Sequence, residues 1–441
     1  MNPRILDERK DPIEYTSDQK KALLLISNFL QSPDNFFLII GNAGTGKTTI
    51  AENIARYAHA RMIAPTNAAV KRLMDKFGYV GLDRFRTIHQ TLYRHPDPET
   101  GEFKLGDGLK RNGVYIVDEC SMIDEKVLND LVNSAIKEKA KLIFIGDDFQ
   151  LEPVGNDPKI FQWDKNKAFD FIDYWKIKLE EVKRNDGTIL QVATHLRKST
   201  GNQKPEILNY NNDEFTIVDD FTKSLAIDII QNNSYIVLVS NNKDRIKYNN
   251  RIRKYRFKEK SDQYILEGDR LISISNQGLI NGETFEVYQP HIVDSFVTTI
   301  NVGVSGKNPV LKQFTFHVLK YKTSPEKKSE KTTLLISNVD MPSIHPAQLM
   351  TSSNIKYHKL LTDVNEYTRQ RQWKGDVSIS TYGYATSVHK SQGNEWDNIY
   401  IDCGFLADSW NKSRWLYTAV TRAKKKIELR KSFQFKLVNH A

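Results

Sequence analysis

The residues best suited to chemistry lie in GNAGTGKTT, residues 41–49, which fits G-x-x-x-x-G-K-[ST] through Thr48. Gly41, Gly44 and Gly46 let the backbone turn sharply, so that the N–H groups of a loop running through Asn42, Ala43 and Thr45 face phosphate oxygens. Lys47 reaches the β- and γ-phosphates of ATP, Thr48 offers a hydroxyl to Mg²⁺, and Thr49 completes the loop's exit. VYIVDE, 114–119, supplies carboxylates at the end of an apolar run: Asp118 to hold the metal through water, and Glu119 to polarise the attacking water. In FIGDDFQLEPV, 144–154, Gln150 is a neutral group suited to sensing the γ-phosphate. Asp147 and Asp148 beside it are equally suited to capping a helix.

These groups need a strand-to-helix frame. FFLII (36–40), RMIAP (61–65), VYIVDE and KLIFIGD (141–147) read as short buried strands alternating with helical segments, a pattern that implies a parallel sheet with helices on both faces. YIVLVS (235–240) restarts the pattern, and VSIST (377–381) and NIYIDCG (398–404) resume it. Two α/β domains are expected. A helix over 16–31 opens on Thr16-x-x-Gln19, where Gln19 closes a capping box or reads an adenine edge through its paired donor and acceptor. Residues 93–112, with PDPETG at their centre, form a small β-hairpin or a plain loop. Residues 262–376 contain alternating runs such as FEVYQ and FTFHVLKY and read as a β-rich insertion.

Composition narrows the partner. The 441 residues carry Lys+Arg 64 against Asp+Glu 54, a net charge of +10, which favours a polyanion or remains a solvated basic surface. Residues 243–260 hold nine Lys/Arg against two acids, either a basic helix beside a phosphate backbone or a solvated face. Thr66 and Asn67 in APTNAAVKRL follow a strand, where hydroxyl, amide and helix N-terminus hold a phosphate; Thr87 and His89 in TIHQTLY are placed similarly. Two cysteines, Cys120 and Cys403, exclude a disulfide framework and a zinc cluster, and are expected as buried free thiols in a reducing cytoplasm. No apolar run reaches the roughly 18 residues of a membrane span, and the N-terminus has no signal-peptide core. A guanine-reading N-K-x-D is absent; NNKD at 241–244 lacks the spacer, which argues against a GTPase switch.

One polar stretch, ATSVHKSQG at 385–393, fits no hydrolase triad and no metal spacing. It gains meaning with its companions: the glutamine motif at 15–23, GNAGTGKTT, APTNAA at 64–69, TIHQTL at 87–92, VDECSM, GDDFQLEPV, LEEVKRN at 179–185 and LYTAVTRA at 416–423. In this order they resemble superfamily 1B DNA helicases of the RecD/Dda type. The resemblance implies two RecA-like domains, 1A (1–92 and 113–175) and 2A (176–261 and 377–441), with a duplex-splitting hairpin (93–112) and an SH3-like insertion (262–376). It implies arginine fingers at Arg184 and Arg422, an adenine contact for Gln19, and an ATP cleft bordered by Gln392 and Gly393, with Glu395 near the ribose. The single-strand track would run over Thr66, Asn67, Thr87 and His89 in one domain and Thr386, His389 and Lys390 in the other. Tyr93, His95 or Phe103 would stack on the last base pair. The implied activity is ATP-dependent, Mg²⁺-requiring 5′→3′ unwinding by a monomer in a bacterial or phage-infected cytoplasm. Its partners would be single-stranded and forked DNA and, beyond them, single-strand-binding, replication or recombination proteins. A motor subunit without autonomous unwinding is the alternative; no acidic nuclease cluster accompanies it in the sequence.

Overall fold

The structure, a computed structural model, describes residues 14–78, 81–94, 104–151, 175–181, 187–198, 204–231, 234–273, 283–301, 311–336, 378–406 and 411–438. The first domain is a six-stranded sheet of β1 (Phe36–Gly41), β2 (Arg61–Ala64), β3 (Phe85–Thr87), β4 (Val114–Val117), β5 (Lys141–Gly146) and β6 (Lys176–Leu179), in spatial order β3-β2-β4-β5-β1-β6. Every pair is parallel. Because side chains alternate along a strand, Phe37 and Ile39 meet α1 (Ser17–Gln31), α2 (Lys47–Tyr57) and α3 (Asn67–Phe77). Leu38 and Ile40 meet α4 (Ile88–Leu92) and α5 (Glu125–Glu138) on the other face. Each large apolar side chain buried this way contributes about 1.5–3 kcal/mol.

Parallel strands carry their following loops at one edge, where α/β sheets bind ligands. β5 lies between β1 and β4, with Ile40 opposite Gly146 and Phe144 opposite Val117. The phosphate loop, the Asp118–Glu119 pair and the 147–150 segment therefore emerge side by side.

The second domain begins with α6 (Thr188–Lys198), β7 (Glu206–Leu208), β8 (Phe215–Val218), α7 (Thr222–Gln231), β9 (Tyr235–Val239) and α8 (Asn242–Phe257). It interrupts itself with a sheet of β10 (Arg270–Ser273), β11 (Thr284–Glu286), β12 (Tyr288–Asn301), β13 (Leu311–Lys322), β14 (Lys331–Ile336) and β15 (Ser378–Tyr382). It then resumes with β16 (Ala385–Ser387), α9 (Val388–Ser391), β17 (Trp396–Asp402), α10 (Lys412–Val420), β18 (Ala423–Arg430) and β19 (Lys436–Val438). The order β16-β9-β17-β18-β8 is parallel throughout, and β7 and β19 form a separate parallel pair.

Two boundaries differ from expectation. β6 pairs with β1, Leu38 opposite Lys176 through Gly41 opposite Leu179, so the first sheet runs past residue 175. VSIST supplies β15, which pairs with β10 and β14 of the insertion and lies outside the second parallel sheet. The chain changes sheets at Gly383, where a Cβ would stand 2.8 Å from the Leu271 backbone. Alternation and β-branching specify a strand, not its sheet. The insertion is mixed, antiparallel except for β14 with β15, and no ladder among the described residues joins its outer strands β11 and β12 into a barrel. The 93–112 segment is a hairpin at its base, where Arg94 N donates to Lys104 O at 2.9 Å; its centre, 95–103, lies outside the described residues. Cys120 and Cys403 are buried free thiols. Among the described residues no helix is long and apolar enough to cross a membrane.

Candidate functional site: a cleft between two parallel sheets

The loop leaving β1 turns through Gly44 (φ 83°) and Gly46 (φ 79°), both left-handed, and enters α2 at Lys47. Position 46 is doubly restricted, because a Cβ there would also stand 2.2 Å from Gln19 Nε2. Gln19 is fully buried. Its Oε1 accepts from Thr16 N (3.1 Å) and Thr16 Oγ1 accepts from Gln19 N (3.2 Å), which is the capping box; Nε2 donates to Thr45 O (2.9 Å). One glutamine thus starts α1 and braces the phosphate loop. Lys47 Nζ donates to Gly41 O (2.7 Å) and Asn42 O (2.8 Å), and Thr45 Oγ1 to Asn42 O (2.9 Å). Thr48 and Thr49 are partly exposed on the first turn of α2.

Asp118 and Glu119 follow β4 and are both buried, with Glu119 at φ 51°. Their neutralising partner comes from α3. Thr66 caps that helix by accepting from Ala69 N (3.2 Å), and Val70, Leu73 and Phe77 bury its apolar stripe. Arg72 NH2 reaches Glu119 Oε1 (2.7 Å) and Asp118 Oδ2 (3.3 Å). Burial and the adjacent Glu119 raise the Asp118 carboxyl against the pull of Arg72. Burial alone would raise Glu119 too, but the Arg72 and Arg422 guanidiniums overcome it and hold the group below the usual range. Arg422 arrives from the second domain, buried, with Nε on Thr418 O (3.1 Å). Glu395 lies within electrostatic reach of Arg72 and Arg422. Arg72, Glu395 and Gly393 also line a cavity of about 450 Å³ between α3, the insertion and the second domain.

The 147–151 segment is held from across the cleft. The Tyr417 hydroxyl on α10 donates to Asp147 Oδ2 and accepts from Ala43 N of the phosphate loop (3.2 Å). Arg197 on α6 pairs with Asp147 (2.5 Å) and Asp148. Leu151 N donates to Thr418 Oγ1 (2.9 Å), Gln392 Nε2 to Leu151 O (2.9 Å) and Arg414 NH1 to Gln150 O (3.2 Å). Gln150 is buried, and its Oε1 has no hydrogen-bond partner among the described residues. Gly393 (φ 83°) faces the start of α3, where a Cβ would lie 3.4 Å from Ala69 N.

A nucleotide loop in one α/β sheet, closed by the helix that carries LYTAVTRA in another, agrees with what known proteins show. A family model described as an AAA domain matches residues 14–217, and one described as a UvrD-like helicase C-terminal domain matches residues 382–429. The chain is 26% identical to the ATP-dependent DNA helicase dda of Enterobacteria phage T4, over 93% of this chain and 98% of that one. It is 24% identical to the RecBCD enzyme subunit RecD of Buchnera aphidicola (subsp. Schizaphis graminum), over 94% and 73%. These matches support a superfamily 1B helicase of the RecD/Dda type. An uncharacterised protein, R530, of Acanthamoeba polyphaga mimivirus is 25% identical over 93% of this chain and 98% of its own. The fold is shared with a Pif1 helicase structure on forked double-stranded DNA, at TM-score 0.50 and 17% identity over 95% of this chain and 92% of that one.

The helicase places its sequence-predicted residues unevenly. Lys47, Asp118, Glu119, Gln150, Gln392, Gly393 and Arg422 converge on the cleft. Arg184 and Phe103 lie outside the described residues, as does His95. Thr66 and Asn67 open α3, partly exposed, while the buried Thr87 Oγ1 caps α4 by accepting from Gln90 N (3.1 Å). His89 packs on Tyr93 at 5.3 Å, and Tyr93 anchors its hydroxyl on Asp130 (2.6 Å), so this tyrosine braces the hairpin base against α5. His389 and Lys390 are half-buried on α9. Thr386, expected to face a strand, is 1% exposed; it pairs in register with Leu238 inside the second sheet and has no solvent-facing surface to offer DNA. Sequence reasoning assigned no role to Arg72, Arg197 or Tyr417. Arg72 carried a signal, lying six positions beyond the Thr66 cap, and Tyr417 lay within a quoted motif; nothing local marks Arg197.

Proposed function

We propose that this helicase is a DNA-dependent ATPase that walks 5′→3′ along single-stranded DNA and unwinds forked duplexes as a monomer. The observation that supports this reading most is Tyr417, whose hydroxyl joins the phosphate loop to the opposite domain through Ala43 N. Events at the nucleotide must then alter the separation of the two domains, and with it the spacing of phosphate grips on each.

The donor set suits the nucleotide and its metal. The left-handed turns at Gly44 and Gly46 shape the phosphate loop, and a hydroxyl (Thr48) with a carboxylate (Asp118) is hard-oxygen chemistry suited to Mg²⁺. Thr48 and Asp118 would hold the magnesium, which would supply charge neutralisation to the bound triphosphate. Lys47 leaves its loop carbonyls to bind the γ-phosphate. Glu119 orients the attacking water and accepts its proton as the new P–O bond forms and the bond to ADP breaks. Arg422, and Arg184 from the LEEVKRN stretch, stabilise the equatorial charge. Gln19 acts on nucleotide binding by bracing Thr45, and Gln150 reports the γ-phosphate to α10 through Leu151. Thr66, Asn67 and His89 grip the strand on the first domain, and His389 and Lys390 on the second. Tyr93 holds the hairpin whose 95–103 centre meets the duplex.

Unwinding of duplexes bearing only a 5′ or only a 3′ single-stranded tail tests activity and direction together. The 5′-tailed substrate should open; opening of the 3′-tailed substrate alone would reverse the polarity.

A further inference from the structure

The loop that follows β5 belongs to the first domain by chain order but not by packing. Leu151 is buried in the second domain's core with Val192 and Leu196 of α6 and Trp415 of α10, and Phe149 packs against the same cluster. Asp147 Oδ1 accepts from Phe149 N (3.0 Å), closing an Asx turn that sets the course of the loop. The guanidinium carbons of Arg197 on α6 and Arg414 on α10 stand over the Phe149 ring, 5.2 and 5.3 Å from its centre. Tyr417 meets the same ring edge-on, at 5.3 Å and 86°. An aromatic face is electron-rich and attracts a guanidinium, most strongly where water is kept away.

Both arginines also bond the loop on either side of that ring. Arg197 NH1 pairs with Asp147 Oδ1 (2.5 Å) and its NH2 with Asp148, while Arg414 NH1 donates to Gln150 O (3.2 Å). With Thr418 and Gln392 on the Leu151 backbone, every residue from 147 to 151 is held by the second domain. Gly146, immediately before them, pairs with Ile40 inside the first sheet, and Ile40 leads straight into the phosphate loop. An extended chain spans at most about 3.6 Å per residue. The loop is therefore a short tether, fixed at one end beside the phosphate loop and gripped at the other by α6 and α10, with Gln150 in the gripped part.

We infer that Phe149 is the handle by which the second domain sets the Gln150 sensor: Arg197 and Arg414 hold its ring and thereby place Gln150 for ATP hydrolysis. Phe149 and Arg197 are positioning residues that act through Gln150. This rests on the reading of Gln150 as the γ-phosphate sensor and adds the groups that place it. The property required at position 149 is an aromatic face. A leucine there keeps apolar bulk against the second domain's core but offers no face to the two guanidiniums, whereas a tyrosine keeps both.

Steady-state ATP hydrolysis at saturating oligothymidylate, measured on full-length wild type, Phe149→Leu and Phe149→Tyr, tests this. Phe149→Leu should lower kcat about five- to thirtyfold, the loss of one to two cation–π contacts. Its KM for ATP should stay within about twofold, because the sensor acts on the step and not on nucleotide binding. Phe149→Tyr should recover most of the lost kcat. Wild-type kcat in Phe149→Leu would overturn the inference. So would Phe149→Tyr no faster than Phe149→Leu, above all with both melting temperatures lowered, which marks a packing residue. A raised KM with unchanged kcat would assign the ring to nucleotide binding and overturn it too. Wild-type protein without ATP turnover would contradict the helicase reading and this one with it, whereas an active wild type matched by Phe149→Leu would overturn this inference alone.

Discussion

Arg72 spends one guanidinium nitrogen on both cleft carboxylates, Glu119 at 2.7 Å and Asp118 at 3.3 Å. Removing one partner of a buried ion pair leaves an uncompensated charge and costs about 3–5 kcal/mol. Arg72→Ala should therefore lower unfolding free energy by about 3 kcal/mol, the low end because the arginine side chain is 31% exposed. Urea denaturation measures this, and Arg72→Lys should recover part of it. Gly46→Ala places a methyl against Gln19 at a left-handed position. It should weaken nucleotide binding by more than about tenfold in equilibrium titration, at a stability cost of about 1–2 kcal/mol. Lys390 gives a pH signature. Its folded value of about 8 lies below the ordinary 10.5, and the charged group facing it among the described residues is Arg245. Between these values the unfolded chain binds the extra proton, so free-protein stability should rise as pH rises through that window. DNA affinity should move oppositely, falling up to about tenfold per pH unit above about 8 as the ammonium is lost; titrating an oligoadenylate across pH 7–9.5 follows it, and Lys390→Arg should flatten the curve.

At the scale of elements, α3 and α10 connect the ends of the machine. α3 presents Thr66 and Asn67 at its start and Arg72 against the carboxylates, and α10 carries Tyr417 to the phosphate loop, Thr418 to Leu151 and Arg414 to Gln150. Tyr417→Phe removes one hydroxyl that bonds both Ala43 N and Asp147. A hydrogen bond to a charged group is worth about 1.5–3 kcal/mol, so DNA-stimulated kcat should fall about tenfold while the phenyl ring keeps its packing and the melting temperature moves little. What was legible in the sequence follows the same division. The phosphate loop, the strands β1, β2, β4, β5, β9 and β17 and the capping box at Thr16 are local, since spacing and cap chemistry within a few residues dictate them. Arg72, Arg197 and Tyr417 act on partners 46 to 374 positions away, and no local pattern encodes such pairings. Ser378–Tyr382 was legible as a strand but not as a strand of the insertion, and the burial of Thr386 follows from its register opposite Leu238.

At the scale of the whole molecule, two parallel sheets present their loop edges to one cleft, and the hydrogen bonds across it involve nucleotide-loop and sensor residues on one side and α9–α10 on the other. The 385–393 stretch joins both tasks: Gln392 and Gly393 meet the first domain, while His389 and Lys390 sit three positions earlier on α9. On the proposed reading, nucleotide state and grip on the strand share one short segment. The most direct test is steady-state ATP hydrolysis by the purified protein with and without single-stranded DNA. Turnover should rise steeply, by at least about tenfold, on adding an oligonucleotide. Turnover that did not change with DNA would contradict the coupling on which this account depends.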